Sequence, residues 1–464
     1  MTSTQSAPLS RSLKARVFGA GGWSIAGHFT AMVIRLAGTL ILSRIFSPAI
    51  FGQVAFLTIV QVIIALLTDI GLRQSVIQHR NGDDPVFLAT AWTLSVIRGA
   101  VITCMGALVA GLLYLMRDLL PGGSVYSEPD MPLYLAVSML SATIVGFQSM
   151  KLILASRRIE LVGQIAVELL SQISMLVFIV IVGWITGSIW AYIVGLLFSA
   201  VVTVILSHAL LPGPRDRFAW DRHSLREMSR FGVWTMLSSA MSAFSSNGDR
   251  LLLGGWMPPA GLGNYSIASN LNSMVDGLVG RVFGHIAFPA LTETLHKDAT
   301  RLRSVYFRMR MITDCTLLFA GGFLFASGQE IVGIMYDQRY AAAGWILSTL
   351  SLSLLFSRYE ISHSAYLAFG RPSYVTLLSV IKLVSLFTIA PLMYFFFGIQ
   401  GAILGIALHM IPSVICIFVL NHRIQLNNLV FELLILLMWM VGGAAGVGFN
   451  ALAEVVKARF QWHM

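Results

Sequence analysis

Charge is what this chain has least of. Only 11% of its 464 residues are Asp, Glu, Lys or Arg, against roughly 25% in soluble domains, and no segment between its apolar runs is long enough for a soluble domain. Cysteine is almost missing as well. Cys104, Cys315 and Cys416 lie far apart in apolar runs, with no His or Cys at ligand spacing. That excludes a disulfide framework and a metal site, and no cofactor is expected. No small-residue cleavage site follows the first apolar run, which is too long for a signal h-region and is expected to stay in place as a signal anchor. Alternating ten-residue strands are lacking, which excludes an outer-membrane barrel. No Ser-His-Asp set, HExxH or Gly-rich phosphate loop occurs in a fitting context. The longest external connection, around 117–131, is too short for the catalytic loop of a membrane polymerase or ligase, so an enzyme is not expected.

What the chain does have is thirteen apolar stretches: 21–45, 51–72, 88–116, 132–154, 162–184, 187–211, 231–255, 262–290, 311–329, 342–368, 373–397, 399–421 and 429–453. Each approaches the roughly 20 residues that an α-helix needs to cross a bilayer. With the N-terminus in the cytoplasm, twenty basic residues fall on the cytoplasmic side, from Arg11, Lys14 and Arg16 through Arg80 and the 212–230 segment to Arg423. The opposite side holds five: Arg44, Arg117, Arg339, Lys457 and Arg459. This asymmetry is the positive-inside pattern of a polytopic protein. The formal net charge of +10 is then a property of the membrane face, where it orients the chain and attracts anionic lipid, and no nucleic-acid partner is expected. Trp23, Trp92 and Trp234 fall near cytoplasmic ends and Trp184, Trp190, Trp256 and Trp345 near external ends, the spacing of an aromatic belt.

The expected organisation is a six-helix bundle over 1–211, a cytoplasmic amphipathic linker over 212–230, a second six-helix bundle over 231–421, and an additional helix and tail over 422–464. In the linker, Asp216–Arg230 is expected to form a short helix with Phe218, Leu225 and Met228 on the membrane and Arg217, Arg222, Arg226 and Arg230 facing phosphates. The halves echo one another. Pro48-Ala49-x-x-Gly52 aligns with Pro259-Ala260-x-x-Gly263 at an offset of 211 residues, and Leu154-Ala155-x-x-Arg158 with Leu367-Ala368-x-x-Arg371 at 213. Six spans separate equivalent points, so the repeats are parallel and imply a cavity between two bundles. Span thirteen lies outside the repeat, and its Gly442-Gly443-Ala444-Ala445-Gly446 run suits either close packing within the chain or contact with a second copy.

Residues 42–78 carry a family resemblance. Leu42-Ser43-Arg44-Ile45-Phe46-Ser47-Pro48-x-x-Phe51-Gly52 is followed by Asp69-Ile70-Gly71-Leu72, and the second half has Asn247-Gly248-Asp249-Arg250-Leu251 and Gly263-Asn264-Tyr265. This resembles the polysaccharide transporter family, the bacterial lipid-linked oligosaccharide flippases of the multidrug/oligosaccharidyl-lipid/polysaccharide exporter superfamily. The resemblance implies a multi-pass protein of the inner membrane that moves undecaprenyl-diphosphate-linked repeat units outward for O-antigen, capsule or exopolysaccharide assembly. A polysaccharide polymerase and co-polymerase would then be downstream partners. It also implies that Pro48, Gly52, Asp69, Gly71, Asp249 and Arg250 form a structural motif. A lipid II flippase, a multidrug exporter of the same superfamily, and a membrane-bound polymerase or ligase are the alternatives.

Charges inside spans point to the site. Arg35, Arg98, Arg250, Arg281, Arg358 and Lys382 fall within apolar stretches, as do Asp69, Glu168, Asp249, Asp276, Asp314 and Glu360. At about 2.5–3.5 kcal/mol for each charge facing lipid, the four deep cations Arg35, Arg98, Arg358 and Lys382 are expected to turn inward and bind the anionic headgroup. Asp276 and Glu360 are expected either to couple transport to an ion or to pair with Arg281 or Arg358. Asp314 is expected near the cytoplasmic end of its span, close to water.

Overall fold

The computed structural model describes residues 13–461 apart from positions 80, 81, 121 and 159, with the side chains of 13–25, 229–234, 281–286, 299 and 460–461 left outside the description. Arg11 and Arg80 therefore lie outside the described residues, as do the side chains of Lys14, Arg16, Trp23, Arg230, Trp234 and Arg281.

Among the described residues every regular element is helical. The first half contains α1 (Leu13–Ile45), α2 (Pro48–Leu67), α3 (Leu72–Gln78), α4 (Pro85–Met116), α5 (Met131–Gly146), α6 (Lys151–Arg158), α7 (Leu161–Thr186) and α8 (Trp190–Ala209). The second contains α9 (Arg222–Trp256), α10 (Pro259–Lys297), α11 (Leu302–Met335), α12 (Ala342–Leu350), α13 (Leu354–Ser357), α14 (Ile361–Ala368), α15 (Pro372–Leu408), α16 (Ile411–Arg423), α17 (Leu429–Ile435) and α18 (Leu437–Gln461).

Eight stretches of the described chain are long and apolar enough to span a membrane, or nine if α5 and α6, bent by 60°, count as one. Three features account for the difference from the thirteen expected. The stretch Pro372–Arg423 counts once, yet Gly398 sits inside it at φ 62°, ψ −149°, a conformation that only glycine adopts readily. The chain turns back on itself there: a Cβ on Gly401 would strike the Met393 carbonyl, and one on Gly405 would touch Ala390. Two antiparallel helices result, divided where the sequence expects 373–397 to meet 399–421. The tenth stretch is broken into α12, α13 and α14 by single 3-10 turns. Finally, α9 and α10 have the length but fall outside the apolar set, because Ser, Asn, Asp and Arg recur along them. Together these elements make an all-helical, polytopic membrane protein.

The chain resolves into two compact units. One contains the described residues up to Ile45, Ile64–Leu112 and Pro132–Ser239. In it α1 packs along α7 and α7 along α8. A core of Leu72, Val76, Leu88, Trp92, Leu154 and Met228 joins α3, α4, α6 and the start of α9. The linker differs from its expected form. Residues 212–221 are not helical, and α9 begins only at Arg222. Side-chain bonds hold the extended part: Asp216 accepts from Ser149 Oγ at 2.5 Å, and Thr93 Oγ1 accepts from the Ala219 backbone at 3.1 Å. Met228 is 1% exposed and Leu225 packs beside it, so both face protein rather than membrane. Trp92 also belongs to this core, at 7% exposure, instead of an interfacial belt.

The other unit contains Phe46–Ile63, Leu113–Met131 and the chain from Ala240 onward. Two pieces of the first half are thus integral to it. Tyr340 donates to the Phe46 carbonyl at 2.8 Å. Tyr126 donates to the Leu251 carbonyl and lies flat on Gly254 and Gly255. α18 runs along α11, with Gly442 against the Phe319 backbone and Gly446 against Phe323 and Ala326. The small-residue run of span thirteen therefore packs within the chain.

Candidate functional site

Each deep cation has a distinct environment. Arg35 is exposed on α1, and among the described residues no polar side chain or carbonyl takes up its guanidinium. Arg98 on α4 has a structural partner set. The end of α2 leaves carbonyls without helical partners, and Arg98 donates to Ala65 at 2.7 Å and Thr68 at 3.0 Å. Asp69 lies 3.9 Å away, accepting at 3.1 Å from the Gly71 backbone and at 3.1 Å from Ser239 Oγ. Gly71 has φ 65°. The Asp69-Ile70-Gly71 motif is thus a helix stop and restart, and Arg98 caps it.

In the second unit Arg358 belongs to a buried square of charges. It pairs with Asp314 at 3.0 Å and with Glu432 at 3.0 Å. Arg310 pairs with the same Asp314 at 2.7 Å and with Glu432. Tyr359 donates to Glu432 at 2.7 Å, and its ring lies under the Arg310 guanidinium at 4.8 Å. Two guanidiniums and two carboxylates cancel, which is how such charges are held out of water. Asp314, expected near water, is 0% exposed, and Arg310, counted with the cytoplasmic face, is 1% exposed. Glu432 on α17 was not among the expected site residues. Its signal was available in the sequence, as a carboxylate four residues into an apolar run beginning at Leu429.

Beside this square lies a cavity of about 180 Å³, bounded by α10, α11 and the α13–α14 segment. Asp276, Ser357, Arg358, Glu360 and His363 contribute polar walls, and Val279, Leu317 and Ile361 an apolar one. Glu360 accepts from Lys382 at 3.1 Å, while its side chain remains 47% accessible because it opens toward this hollow. No described basic side chain pairs with Asp276, and the side chain of Arg281 lies outside the description. The structure therefore brings Asp276, Arg358, Glu360 and Lys382 into one neighbourhood, while Arg35 and Arg98 belong to the other unit.

The remaining motif residues are bound internally. Asp249 accepts from Tyr265, and Arg250 donates to Ser269 at 3.2 Å and Asn270 at 3.0 Å. Pro48 opens α2, and Gly52 meets Gly263 on α10. Asn272 on α10 donates to Ser353 at 3.0 Å.

Comparison with known proteins places this geometry. A family model described as polysaccharide biosynthesis protein matches residues 41–344. An uncharacterized membrane protein in the cps region of Klebsiella pneumoniae is 23% identical over 307 residues, covering 64% of this chain and 60% of that protein. The succinoglycan biosynthesis transport protein ExoT of Rhizobium meliloti is 21% identical over 333 residues, covering 72% and 65% respectively. The chain thus spans less than two thirds of the length of these curated relatives. Among solved structures, the lipid II flippase MurJ in an inward closed conformation superposes with a TM-score of 0.65 at 13% identity, over 95% of this chain and 99% of that one, a likeness of fold.

Proposed function

The chain belongs to the polysaccharide biosynthesis protein family, and from that membership we propose that it is a flippase for undecaprenyl-diphosphate-linked oligosaccharide repeat units. It works by alternating access in the bacterial inner membrane, with a cytoplasmic N-terminus. The units it delivers to the outer leaflet feed O-antigen, capsule or exopolysaccharide assembly, where a polymerase and its co-polymerase take them over. It is a transporter rather than an enzyme. The relative named as a succinoglycan biosynthesis transport protein supports this reading.

The observation that carries it is Arg35. A guanidinium midway along an apolar helix with no counter-charge among the described residues calls for an anion from elsewhere. The diphosphate of a lipid-linked sugar supplies one, through charge-assisted and bidentate hydrogen bonds. In the second unit Lys382, bonded to Glu360 at 3.1 Å, is the cation proposed to meet phosphate during passage. Arg98 and Arg358 act by fixing helices within their own units. With the cell interior negative, moving one negative charge outward gains about 2.3 kcal/mol per 100 mV, so the potential itself favours export.

The test is complementation of a deletion strain. Arg35→Gln and Lys382→Gln are expected to accumulate at normal levels yet fail to restore the surface polymer. Normal polymer in both variants overturns the assignment. Loss of viability on deletion, with build-up of a peptidoglycan precursor, would assign the transport to lipid II instead.

A further inference from the structure

The geometry points to the cavity beside Arg358 as a subsite for one neutral sugar ring of the repeat unit, an inference that rests on the transport reading above. The lining decides the class of guest. Asp276 and Glu360 on its wall repel a phosphate. Arg358 in the wall, with Lys382 bonded to Glu360 beside it, repels a metal cation. Charges of both signs exclude either ion and suit an uncharged molecule rich in hydroxyl groups, which donates to carboxylates and accepts from cationic and neutral N–H and O–H groups.

Size agrees. A volume of about 180 Å³ is many times the ~10–15 Å³ that admits one water, and far from the fitted shell that a dehydrated ion needs. Shape agrees as well. A pyranose has an apolar C–H face and a rim of hydroxyls, and the cavity sets Val279, Leu317 and Ile361 against Asp276, Ser357 and His363. Ser357, 7% exposed, lines the cavity with its hydroxyl beside the Asp276 carboxylate, and Lys382 lies close enough to act on the same carboxylate. A carboxylate accepts through two oxygens, so a sugar hydroxyl can bond Asp276 beside Ser357.

The test uses the full chain in lipid nanodiscs and saturation-transfer difference NMR with free glucose, galactose, mannose and N-acetylglucosamine. At least one sugar is expected to give ring-proton signals that fall at least fivefold in Asp276→Asn and in Ser357→Ala and persist in Arg35→Gln. They are also expected to be unchanged when choline replaces sodium. Binding by none of the sugars, signals that stay at wild-type strength in either pocket variant, or signals that vanish without sodium would each overturn the subsite. Translocation of lipid-linked repeat units in proteoliposomes separates the two levels. Transport without sugar binding removes the subsite and leaves the flippase reading, whereas sugar binding without transport removes the flippase reading.

Discussion

Gly52 and Gly263 meet backbone to backbone, and each fills the place of the other's missing side chain. A Cβ on Gly52 would collide with the Pro259 carbonyl and the Gly263 amide, and a Cβ on Gly263 with the Pro48 carbonyl and the Gly52 amide. The contact is reciprocal residue for residue, so the start of α2 and the start of α10 cross about a local two-fold. These are the two segments that echo each other in the sequence.

Gly52→Ala and Gly263→Ala should each destabilise the protein by about 1–3 kcal/mol, the usual result of overpacking. Gly111→Ala, where no heavy atom lies within 4 Å, should be neutral or gain up to ~1 kcal/mol from helix propensity. Thermal unfolding in detergent reads the opposite signs, and equal shifts would contradict the crossing.

The charge square should fail when broken and tolerate balanced removal. Glu432→Ala strands Arg310 and should cost about 3–5 kcal/mol. The double variant Arg310→Met with Glu432→Leu leaves Arg358 and Asp314 paired and should recover much of that loss. A double-mutant cycle by thermal melting checks it, and strict additivity would argue against a shared network.

Arg98 and Arg35 should separate by assay. Arg98→Ala leaves two carbonyls at the end of α2 uncapped and should cost about 1.5–3 kcal/mol per charged hydrogen bond lost, lowering protein level and melting temperature. Arg35→Ala should change stability by no more than ~0.5 kcal/mol while abolishing export. Immunoblot and melting curves, read alongside polymer production, distinguish them.

Asp221 caps the start of α9. Bonds from the Ser224 hydroxyl and backbone N–H hold its carboxyl below the usual carboxylate range. A depressed folded pKa contributes stability that is present above the unfolded value of about 4 and is lost as pH falls through the folded value. Wild type should therefore be more stable than Asp221→Asn at neutral pH, and the difference in melting temperature should shrink on acidification below pH 4. A difference that stays constant down to pH 2 would remove the carboxylate's role.

Helix class was legible because apolar run length is a local property, and the turn at Gly398 falls where two runs meet. Asp69, Gly71, Asp249 and Arg250 stand out in the sequence as a motif, but the bonds they make, Asp69 to Gly71, Asp249 to Tyr265 and Arg250 to Ser269 and Asn270, are read only from the structure. Partner choice was not legible. Arg358 and Glu360 are two residues apart, yet one turns to Asp314 and Glu432 and the other to Lys382. Only the folding together of α11, α15 and α17 decides which charge meets which. Residues 216–221 read as amphipathic helix by spacing, but Asp216 finds Ser149 across the fold, and a tertiary bond outweighs weak helical preference there.

Glu432 also sets an order of events in biogenesis. Arg310 and Arg358 enter the membrane more than seventy residues before Glu432 is made. In that interval two guanidiniums share Asp314 alone, an arrangement with a surplus positive charge in hydrocarbon. The second unit can settle only once the thirteenth stretch leaves the ribosome and brings its carboxylate home. That stretch therefore completes the charge balance of the second unit, and a nascent chain halted before it should stay with the insertion machinery or be degraded.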